Sequence, residues 1–391
     1  MGVRATGVRS GEQTAPRSLF AMPGRYLIES ARPDDDAALR ALLRSASMDG
    51  PMQLSLQREP DFFLGAGIGN LATTVTVARD TLTGAVVSTA GRAIRRAFID
   101  GCERPLGYLS ALRTRDDARK TTLLARGYRH IRLQHADGLV PYYVTTILEG
   151  NEEARRILTS GRAGLPAYVP YGTLRTFLLP LYGLRRRARG GGVTRGAAPD
   201  ALSGALACLN RFNSGLQFAP AYRLEDFGAS SPMLHGLSAG DLYLCLKGRE
   251  IAGTMAVWNQ NGFKQSVVVG YSRTLAAIRP ALTLAAKFGL APRLPRKGRS
   301  LPCLYAALIS SRDSDAAVFQ ELLDAVLTDW TNAGYVYLLL GLCDGHPFSP
   351  MVEKRSVMSI ESGIYVVYWQ DCKPECLPST RRIPHLEVAT L

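Results

Sequence analysis

A strand, a basic turn, a helix and a second strand follow one another within residues 104–151, and this order constrains the fold more than any other feature. Residues 106–112 are apolar on both faces, which is typical of a strand covered on both sides of a sheet. Apolar residues then recur at helical spacing from Leu123 to Ile131, and residues 142–148 are rich in Val, Thr and Tyr. We therefore predict a βαβ unit whose helix start faces the strand end and directs backbone amides at an anionic ligand.

The length and charge of the chain limit the choice of partner. The 391 residues, 46% of them hydrophobic, are enough for two packed domains. Lys and Arg outnumber Asp and Glu by 47 to 33, and the net charge of +14 favours a nucleotide cofactor, nucleic acid or an acidic membrane surface. An arginine surplus in a bacterial-looking composition explains the same charge without any partner, so charge alone does not choose among these readings.

Several classes of protein are disfavoured by what the sequence lacks. No apolar run approaches the roughly 18 residues of a membrane span, and the first residues have no apolar core of the kind a secretory signal needs. The seven scattered cysteines do not resemble a disulfide framework, which favours a cytoplasmic location. Cys372 and Cys376 are close in sequence, but without a second ligand pair we predict no metal site.

A run of arginines and glycines near the middle of the chain marks the best domain boundary, because such composition is typical of a linker. The predicted segments are a flexible tail at 1–24, a first domain at 25–181, a linker at 182–199, a second domain at 200–371 and a terminal tail at 372–391. We expect a closing strand at 167–179 in the first domain. In the second we expect a meander of three strands, at 241–246, 251–259 and 265–271, and a closing strand at 363–369.

Three stretches of the first half resemble the GCN5-related N-acetyltransferase superfamily. The stretch ARPDDDAALRALLR is similar to that family's first strand–helix junction. The stretch GYLSALRTRDDAR is similar to its fourth strand and pyrophosphate turn, and NEEARRILTSGR is similar to the helix after its fifth strand. The resemblance covers about residues 25–180, and the second half resembles a more diverged copy. It implies an α/β (α+β) fold with a mixed twisted sheet of the acyl-CoA N-acyltransferase type, in two tandem copies.

The resemblance also implies where a cofactor binds. In that family two strands splay apart, the pantetheine arm pairs with one of them, and the following turn holds the pyrophosphate. Carried over, the cofactor-binding residues would be Leu112, Arg113 and Thr114 at the strand edge, Arg119, Lys120, Thr121 and Thr122 in the turn, and Asn151 at the next helix. The implied cofactor is acetyl-CoA or another acyl-CoA, and the implied acceptor is a small-molecule or peptide amine.

The chain departs from the family pattern at three positions. Thr122 and Leu124 stand where the turn normally has small residues, and Leu158 stands where a tyrosine protonates the leaving thiolate. Tyr168 and Tyr171 are the distant substitutes for that tyrosine, and we take Tyr168 as the proton donor and Glu149, at the end of the fifth strand, as the general base.

Plainer explanations remain open for these residues and for the whole chain. Asn151 is also a good helix N-cap, and Glu149 is also an ordinary solvated carboxylate. The lost small residues and tyrosine equally suit a non-catalytic binding or scaffold protein. Basic runs at 185–189 and 293–299 suit a transferase that uses aminoacyl-tRNA, although we do not favour nucleic acid as the partner.

Overall fold

The computed structural model describes residues 25–48, 50–119, 122–162, 164–183, 192–228 and 231–391. In this part of the chain the strands are β1 Tyr26–Ser30, β2 Met52–Gln57, β3 Ala72–Asp80, β4 Val86–Ile99, β5 Cys102–Thr114, β6 Tyr143–Leu148, β7 Ala167–Pro180, β8 Val193–Arg195, β9 Leu242–Lys247, β10 Glu250–Trp258, β11 Gln265–Tyr271, β12 Cys303–Ser311, β13 Tyr337–Cys343 and β14 Met358–Tyr368. The α-helices are α1 Asp36–Arg44, α2 Phe62–Gly67, α3 Leu123–His135, α4 Glu152–Leu158, α5 Pro199–Asn213, α6 Arg273–Lys287, α7 Ala316–Trp330 and α8 Ser349–Glu353.

Twelve of the described strands form one continuous sheet in the order β1-β3-β4-β5-β6-β14-β7-β13-β12-β10-β9-β8. The two pairs β5–β6 and β12–β13 are parallel, and the other neighbours are antiparallel. The pattern β3-β4-β5-α3-β6 in the first half recurs as β9-β10-β12-α7-β13 in the second. The sheet therefore contains two similar units side by side, as the sequence predicted.

The two closing strands are exchanged between the halves. We expected residues 167–179 to close the first half and residues 363–369 to close the second. Instead β14 pairs with β6 of the first half, and β7 pairs with β13 of the second, while β7 and β14 also pair with each other. Each unit is thus completed by a strand from the other half of the sequence. The division of the chain at residues 182–199 stays a prediction, and residues 184–191 lie outside the described part.

The predicted three-stranded meander of the second half is wrong in its third strand. β9 and β10 pair as expected, but β11 leaves the large sheet and pairs with β2 of the first half in a separate two-stranded sheet. β12 takes its place beside β10. The local pattern identified β11 as a strand but held no information about its partner, because pairing is a long-range contact.

Helices cover both faces of the sheet. The apolar helix α7 packs on β9 and β10 in the largest core cluster, which includes the fully buried Phe319 and Phe348. Helix α5 packs with β10 and β12 in a second core cluster around Trp258. In the first half α3 packs through Tyr128 and Ile131 in a cluster that also holds Leu109 of β5. Each half therefore has one core cluster between the sheet and the helix that connects its parallel strands, and another core cluster on the opposite face of the sheet.

Candidate active site

The parallel strands β5 and β6 separate soon after they meet. Only Gly107 and Tyr108 of β5 pair with Tyr143 and Val144 of β6. Thr145 still donates a side-chain hydrogen bond to the carbonyl oxygen of Leu109, at 2.8 Å. Beyond that point β5 continues to Thr114 with β4 as its paired neighbour, so its other edge has no strand partner among the described residues. The predicted splayed strand edge is therefore present.

A bulge bends β5 where it leaves β6. Thr89 of β4 pairs with Arg113 of β5, and Gly91 pairs with Ser110. Two residues of β5 therefore lie opposite one residue of β4, and the register of the pair shifts there. One of the extra residues, Ala111, has φ of 53°, a backbone conformation that an alanine rarely adopts. Bulges of this kind are frequent beside active sites, where they redirect the strand.

The second half has an equivalent bulge beside its parallel strand pair. β12 pairs with β13 only through residues 303–305, and the β10–β12 register then shifts between Thr254 and Ala256. Leu308 lies in this bulge with φ of 51°. A tyrosine stands three residues before each bulge residue, Tyr108 before Ala111 and Tyr305 before Leu308. The two halves therefore carry equivalent strand openings, although only the first was predicted from the sequence.

The second opening is occupied by a side chain of the protein itself. The N–H of Leu308 donates to the carboxyl group of Glu387 at 3.0 Å. Glu387 is buried, and burial raises the pKa of its carboxyl group to about 7. In the described part of the chain no side chain accepts a hydrogen bond from the N–H of Ala111, so the two openings differ in this respect.

An apolar cleft adjoins the first opening on the face covered by α3. Leu112 and Thr114 of β5 line it, together with Leu124, Gly127 and Tyr128 of α3. The remaining lining residues are Ile28, Thr76, Val77, Ala78, Ser88, Thr89, Ala90, Leu123 and Ile131. Leu112, predicted as part of the strand edge, therefore lies beside a space suited to an apolar group.

The other predicted strand-edge residues make local contacts. Arg113 donates to the carbonyl oxygen of Leu112 at 3.1 Å, and burial lowers the pKa of its guanidinium group. Thr114 shares a hydrogen bond of 2.8 Å with Ser88 on β4. The Ser88 contact joins the end of β5 to β4, while the Arg113 contact stays within β5.

The predicted anion turn is only partly described. Lys120 and Thr121 lie outside the described residues. Arg119 donates to the carbonyl oxygen of Thr114 at 3.3 Å, and its guanidinium group lies 3.1 Å from Asp116 and 3.6 Å from Glu153. Thr122 is the N-cap of α3 and is exposed, with no side-chain capping bond. Arg119 is half-exposed, so its acidic neighbours are weak competitors for an anion.

Asn151 and Glu149 lie at the end of β6. The Asn151 side chain accepts from the N–H of Ala154 at 3.2 Å and thus caps α4, as its plainer reading predicted. Glu149 is exposed, and its N–H donates to the carbonyl oxygen of Glu361 on β14 at 3.0 Å. The roles of both residues in binding and catalysis stay predictions.

Tyr168 lies on β7 and reaches the underside of α3. Its hydroxyl group shares a hydrogen bond with that of Tyr128, which lines the apolar cleft. Burial raises the pKa of Tyr168 well above its ordinary value, so the phenol stays protonated at neutral pH. Tyr171, considered beside it, instead donates to the carbonyl oxygen of Ser379.

Positive side chains outside the predicted site gather near the opening. Arg95 lies 3.9 Å from the ring centre of Tyr108, and Lys264 lies 4.7 Å from that of Tyr305. Arg58 lies 5.2 Å from the ring centre of Phe62. These cations come from three distant parts of the sequence and match no local motif, which is why sequence reasoning missed them. The pairing of a cation with each equivalent tyrosine was visible only in three dimensions.

Two further findings concern metals and membranes. In the ranges that the structure describes, no three His, Cys, Asp or Glu side chains come together as a metal site requires. Over the same ranges, no helix has the length and apolar character needed to cross a membrane.

Several solved structures share the fold of this chain. No family model and no curated protein sequence matches the chain. Among solved structures, the N-myristoyltransferase of Saccharomyces cerevisiae with bound myristoyl-CoA matches with a TM-score of 0.61 at 11% identity, over 97% of this chain and 90% of that one. A GCN5-related N-acetyltransferase from Sphaerobacter thermophilus matches with a TM-score of 0.54 at 13% identity, over 92% and 99% of the two chains.

The chain has the GCN5-related N-acetyltransferase fold. The predicted fold class, a mixed α/β sheet of the acyl-CoA N-acyltransferase type, is confirmed, and the two-copy arrangement is consistent with the N-myristoyltransferase match. At this low identity the likeness concerns the fold, so the activity is argued from the site.

Proposed function

We propose that the protein is an N-acyltransferase that moves an acyl group from an acyl-CoA to an amine. The observation that carries the proposal is the open edge of β5 beyond Tyr108, bent by the bulge at Ala111 and bordered by an apolar cleft. An unpaired strand edge binds an extended amide-containing chain through main-chain hydrogen bonds, and the pantetheine arm of coenzyme A is such a chain.

The donor is assigned to the first half of the chain. In the second half the equivalent bulge amide, that of Leu308, already donates to Glu387. A thioester there would have to displace a buried carboxyl group from its hydrogen bond, which is costly. The first opening has no such side chain among the described residues, and it alone is followed by the basic turn at Arg119.

Different residues of the first opening bind different parts of the acyl-CoA. The edge at Leu112, Arg113 and Thr114 aligns the pantetheine arm, while Arg119, Lys120, Thr121 and Thr122 hold the pyrophosphate through charge and amide contacts. Asn151 orders the start of α4 beside them. The apolar cleft behind Leu112 receives the acyl chain, so chains longer than acetyl are included among the proposed donors.

The chemistry is direct attack by the amine. A neutral amine adds to the thioester carbonyl carbon, the carbon–sulfur bond breaks, and the proton lost by nitrogen passes to the thiolate. Proximity and amide donors supply most of the acceleration. Glu149 is the proposed base, acting through water, and Tyr168 is the proposed proton donor, kept protonated by its raised pKa.

Binding of acyl-CoA to the full chain tests the donor site. Calorimetry with acetyl-, octanoyl- and myristoyl-CoA should give a dissociation constant that falls with chain length, by up to threefold or fourfold per buried CH₂. Arg119→Ala should weaken binding of all three about tenfold, because a charge-assisted contact contributes about 1.5 kcal/mol. Arg129→Ala is the matched control, since Arg129 is an exposed arginine on α3 outside the cleft.

The cleft itself is tested by filling it. A Cβ on Gly127 meets nothing within 4 Å, so Gly127→Phe can enter the cleft that Gly127 lines. This change should abolish the advantage of myristoyl-CoA over acetyl-CoA. Absence of binding by any acyl-CoA at millimolar concentration would refute the enzyme, and tight binding without acyl transfer to any amine would instead support the non-catalytic alternative.

A further inference from the structure

Helix α6 lies on the outside of the protein and takes no part in its core. It has the same length as α7, 15 residues, and both helices are described throughout. Seven residues of α7 are buried, whereas Ala286 is the only buried residue of α6. None of the core clusters in the described part of the chain includes a residue of α6.

The outer face of α6 is nevertheless apolar. Ala277, Ile278, Ala281, Leu284 and Phe288 recur at intervals of three and four residues and so lie on one side of the helix. All five are exposed, and the exposed fractions of Leu284 and Phe288 are 58% and 73%. Single exposed apolar side chains are ordinary, but a continuous row of them marks a binding surface. We call these five residues the apolar stripe.

A rigid turn extends the apolar stripe beyond the helix. The N–H of Gly289 donates to the carbonyl oxygen of Ala286 at 3.3 Å, and the N–H of Leu290 donates to that of Ala285 at 3.0 Å. These two bonds form a Schellman motif, which Gly289 permits through its φ of 73°. Leu290 is 74% exposed. The exposure of these last apolar residues therefore belongs to a hydrogen-bonded turn and not to a frayed helix end.

The same segment is strongly basic. Residues 271–300 contain seven Lys or Arg and no Asp or Glu. Arg279 lies 5.1 Å from the ring centre of Tyr271 and donates to the carbonyl oxygen of Pro295 at 3.2 Å, so the loop at 292–299 is held against α6. The other six cations are exposed: Arg273, Lys287, Arg293, Arg296, Lys297 and Arg299. The segment that carries the apolar stripe therefore has positive charge only.

Basic side chains on either side of this segment show the usual alternative. Lys247 contacts Glu321 at 2.8 Å, and Arg312 contacts Glu250 at 2.7 Å. Within the part of the chain that the structure describes, no carboxylate forms an ion pair with any of the six exposed cations. Their charge is therefore available to an anionic partner.

An anionic lipid surface suits both features, whereas other partners suit only one. Nucleic acid would balance the cations, but its phosphate backbone would leave the apolar stripe in water. A second copy of the chain would cover the stripe, but a symmetric contact would bring the same cations together. A bilayer with anionic headgroups accepts apolar side chains at the boundary of its acyl chains and attracts Lys and Arg at its surface.

We propose that α6 and the loop at 292–299 dock the protein on the surface of an anionic lipid bilayer. In the docked state α6 lies in the plane of the membrane. Ile278, Leu284 and Phe288 enter the boundary between headgroups and acyl chains, while the exposed Lys and Arg side chains stay at the level of the phosphates. The inference does not depend on the proposed acyl transfer, because no residue of this segment lines the apolar cleft.

Sedimentation with lipid vesicles tests the docking. The full chain is mixed with vesicles of phosphatidylcholine alone or of phosphatidylcholine with about 40% phosphatidylglycerol, in about 0.1 M salt. We expect the partition coefficient to be at least tenfold higher for the anionic vesicles. It should fall at least tenfold in about 1 M salt, where the Debye length is only about 3 Å. Phe288→Trp should lose fluorescence, relative to the parent, on anionic vesicles with brominated acyl chains, because the new indole enters the acyl boundary.

Variants assign the binding to the stripe and to the cations separately. Leu284→Ser with Phe288→Ser should lower the partition coefficient for anionic vesicles at least tenfold, because two large apolar side chains no longer leave water. Arg296→Gln with Lys297→Gln should also lower it at least tenfold, since each charge near an anionic surface contributes about fivefold.

Matched controls lie elsewhere on the surface. Leu82, in the turn between β3 and β4, is 81% exposed, and Lys354 is an exposed lysine at the end of α8. Leu82→Ser and Lys354→Gln should each change the partition coefficient less than twofold. All variants should melt within about 2 °C of the parent, because the substituted side chains are exposed.

Three results would overturn the proposal. The first is failure of the full chain to sediment with anionic vesicles, or equal binding to neutral ones. The second is binding that Leu284→Ser with Phe288→Ser leaves unchanged, since charge alone would then explain it. The third is a dimer, detected by light scattering, that the same double substitution dissociates without any vesicle binding by the parent, which would assign the stripe to a second copy.

Discussion

A glycine, Gly107, lies where β5 and β6 separate, and replacing this glycine should destabilise the fold and weaken the site. A Cβ on Gly107 would contact the Tyr143 ring, at 2.8 Å from its Cε1 atom, and would lie 2.7 Å from the carbonyl oxygen of Tyr142. Neither neighbour can move easily, because one is backbone and the other is fully buried. The Tyr143 hydroxyl also accepts a hydrogen bond from Arg92 at 2.8 Å.

The size of the effect follows from these contacts. Overpacking of a buried site costs about 1–3 kcal/mol. A shift of the Tyr143 ring would also weaken its hydrogen bond with Arg92, which contributes about 1 kcal/mol or more. The smaller conformational entropy of the unfolded alanine chain offsets only about 0.5–1 kcal/mol. We therefore expect Gly107→Ala to lower the free energy of unfolding by about 2–3 kcal/mol.

Urea unfolding followed by circular dichroism measures this change. The matched control is Gly127→Ala, which lies inside α3 with nothing within 4 Å of the new Cβ and should stabilise the protein by about 0.5–1 kcal/mol. Equal unfolding midpoints for Gly107→Ala and the parent, with unchanged slopes, would show that the two strands are not packed as described. Affinity for acyl-CoA should fall in Gly107→Ala even in buffer without urea.

Three other changes have expected outcomes. The contribution of Lys264 to the unfolding free energy should rise between pH 7 and 10.5, since only the unfolded chain holds the Lys264 proton there; the difference between the pH profiles of the parent and Lys264→Met should show this component, worth up to about 5 kcal/mol, and identical pH profiles would contradict it. Asn151→Ala should lower the unfolding free energy by about 1 kcal/mol through loss of the α4 cap, and an unchanged urea midpoint would argue against capping. Tyr168→Phe should lower the unfolding free energy by about 1 kcal/mol, because the hydrogen bond with Tyr128 is lost. If Tyr168 protonates the thiolate, the same change should lower kcat at least tenfold. An unchanged kcat would show that Tyr168 has only a structural role beside Tyr128.

The sequence was most informative where structure depends on near neighbours. β5, α3 and β6 could be predicted because two-sided apolar strands and a helical apolar repeat are local patterns. The cap at Asn151 was also predicted, since capping depends on residues within one turn. The strand edge at Leu112 was inferred from a family resemblance and lies beside the opening.

Only the tertiary structure decided how the strands are shared and which charges meet. The strands β7 and β14 each complete the half to which they do not belong in sequence, and this exchange depends on pairing between residues far apart in sequence. The same applies to Glu387 at Leu308 and to the gathering of Arg58, Arg95 and Lys264. Local composition thus determined the elements and the kind of fold, whereas long-range packing determined which opening is free and which charges surround it, because burial and electrostatic energies depend on distances in space.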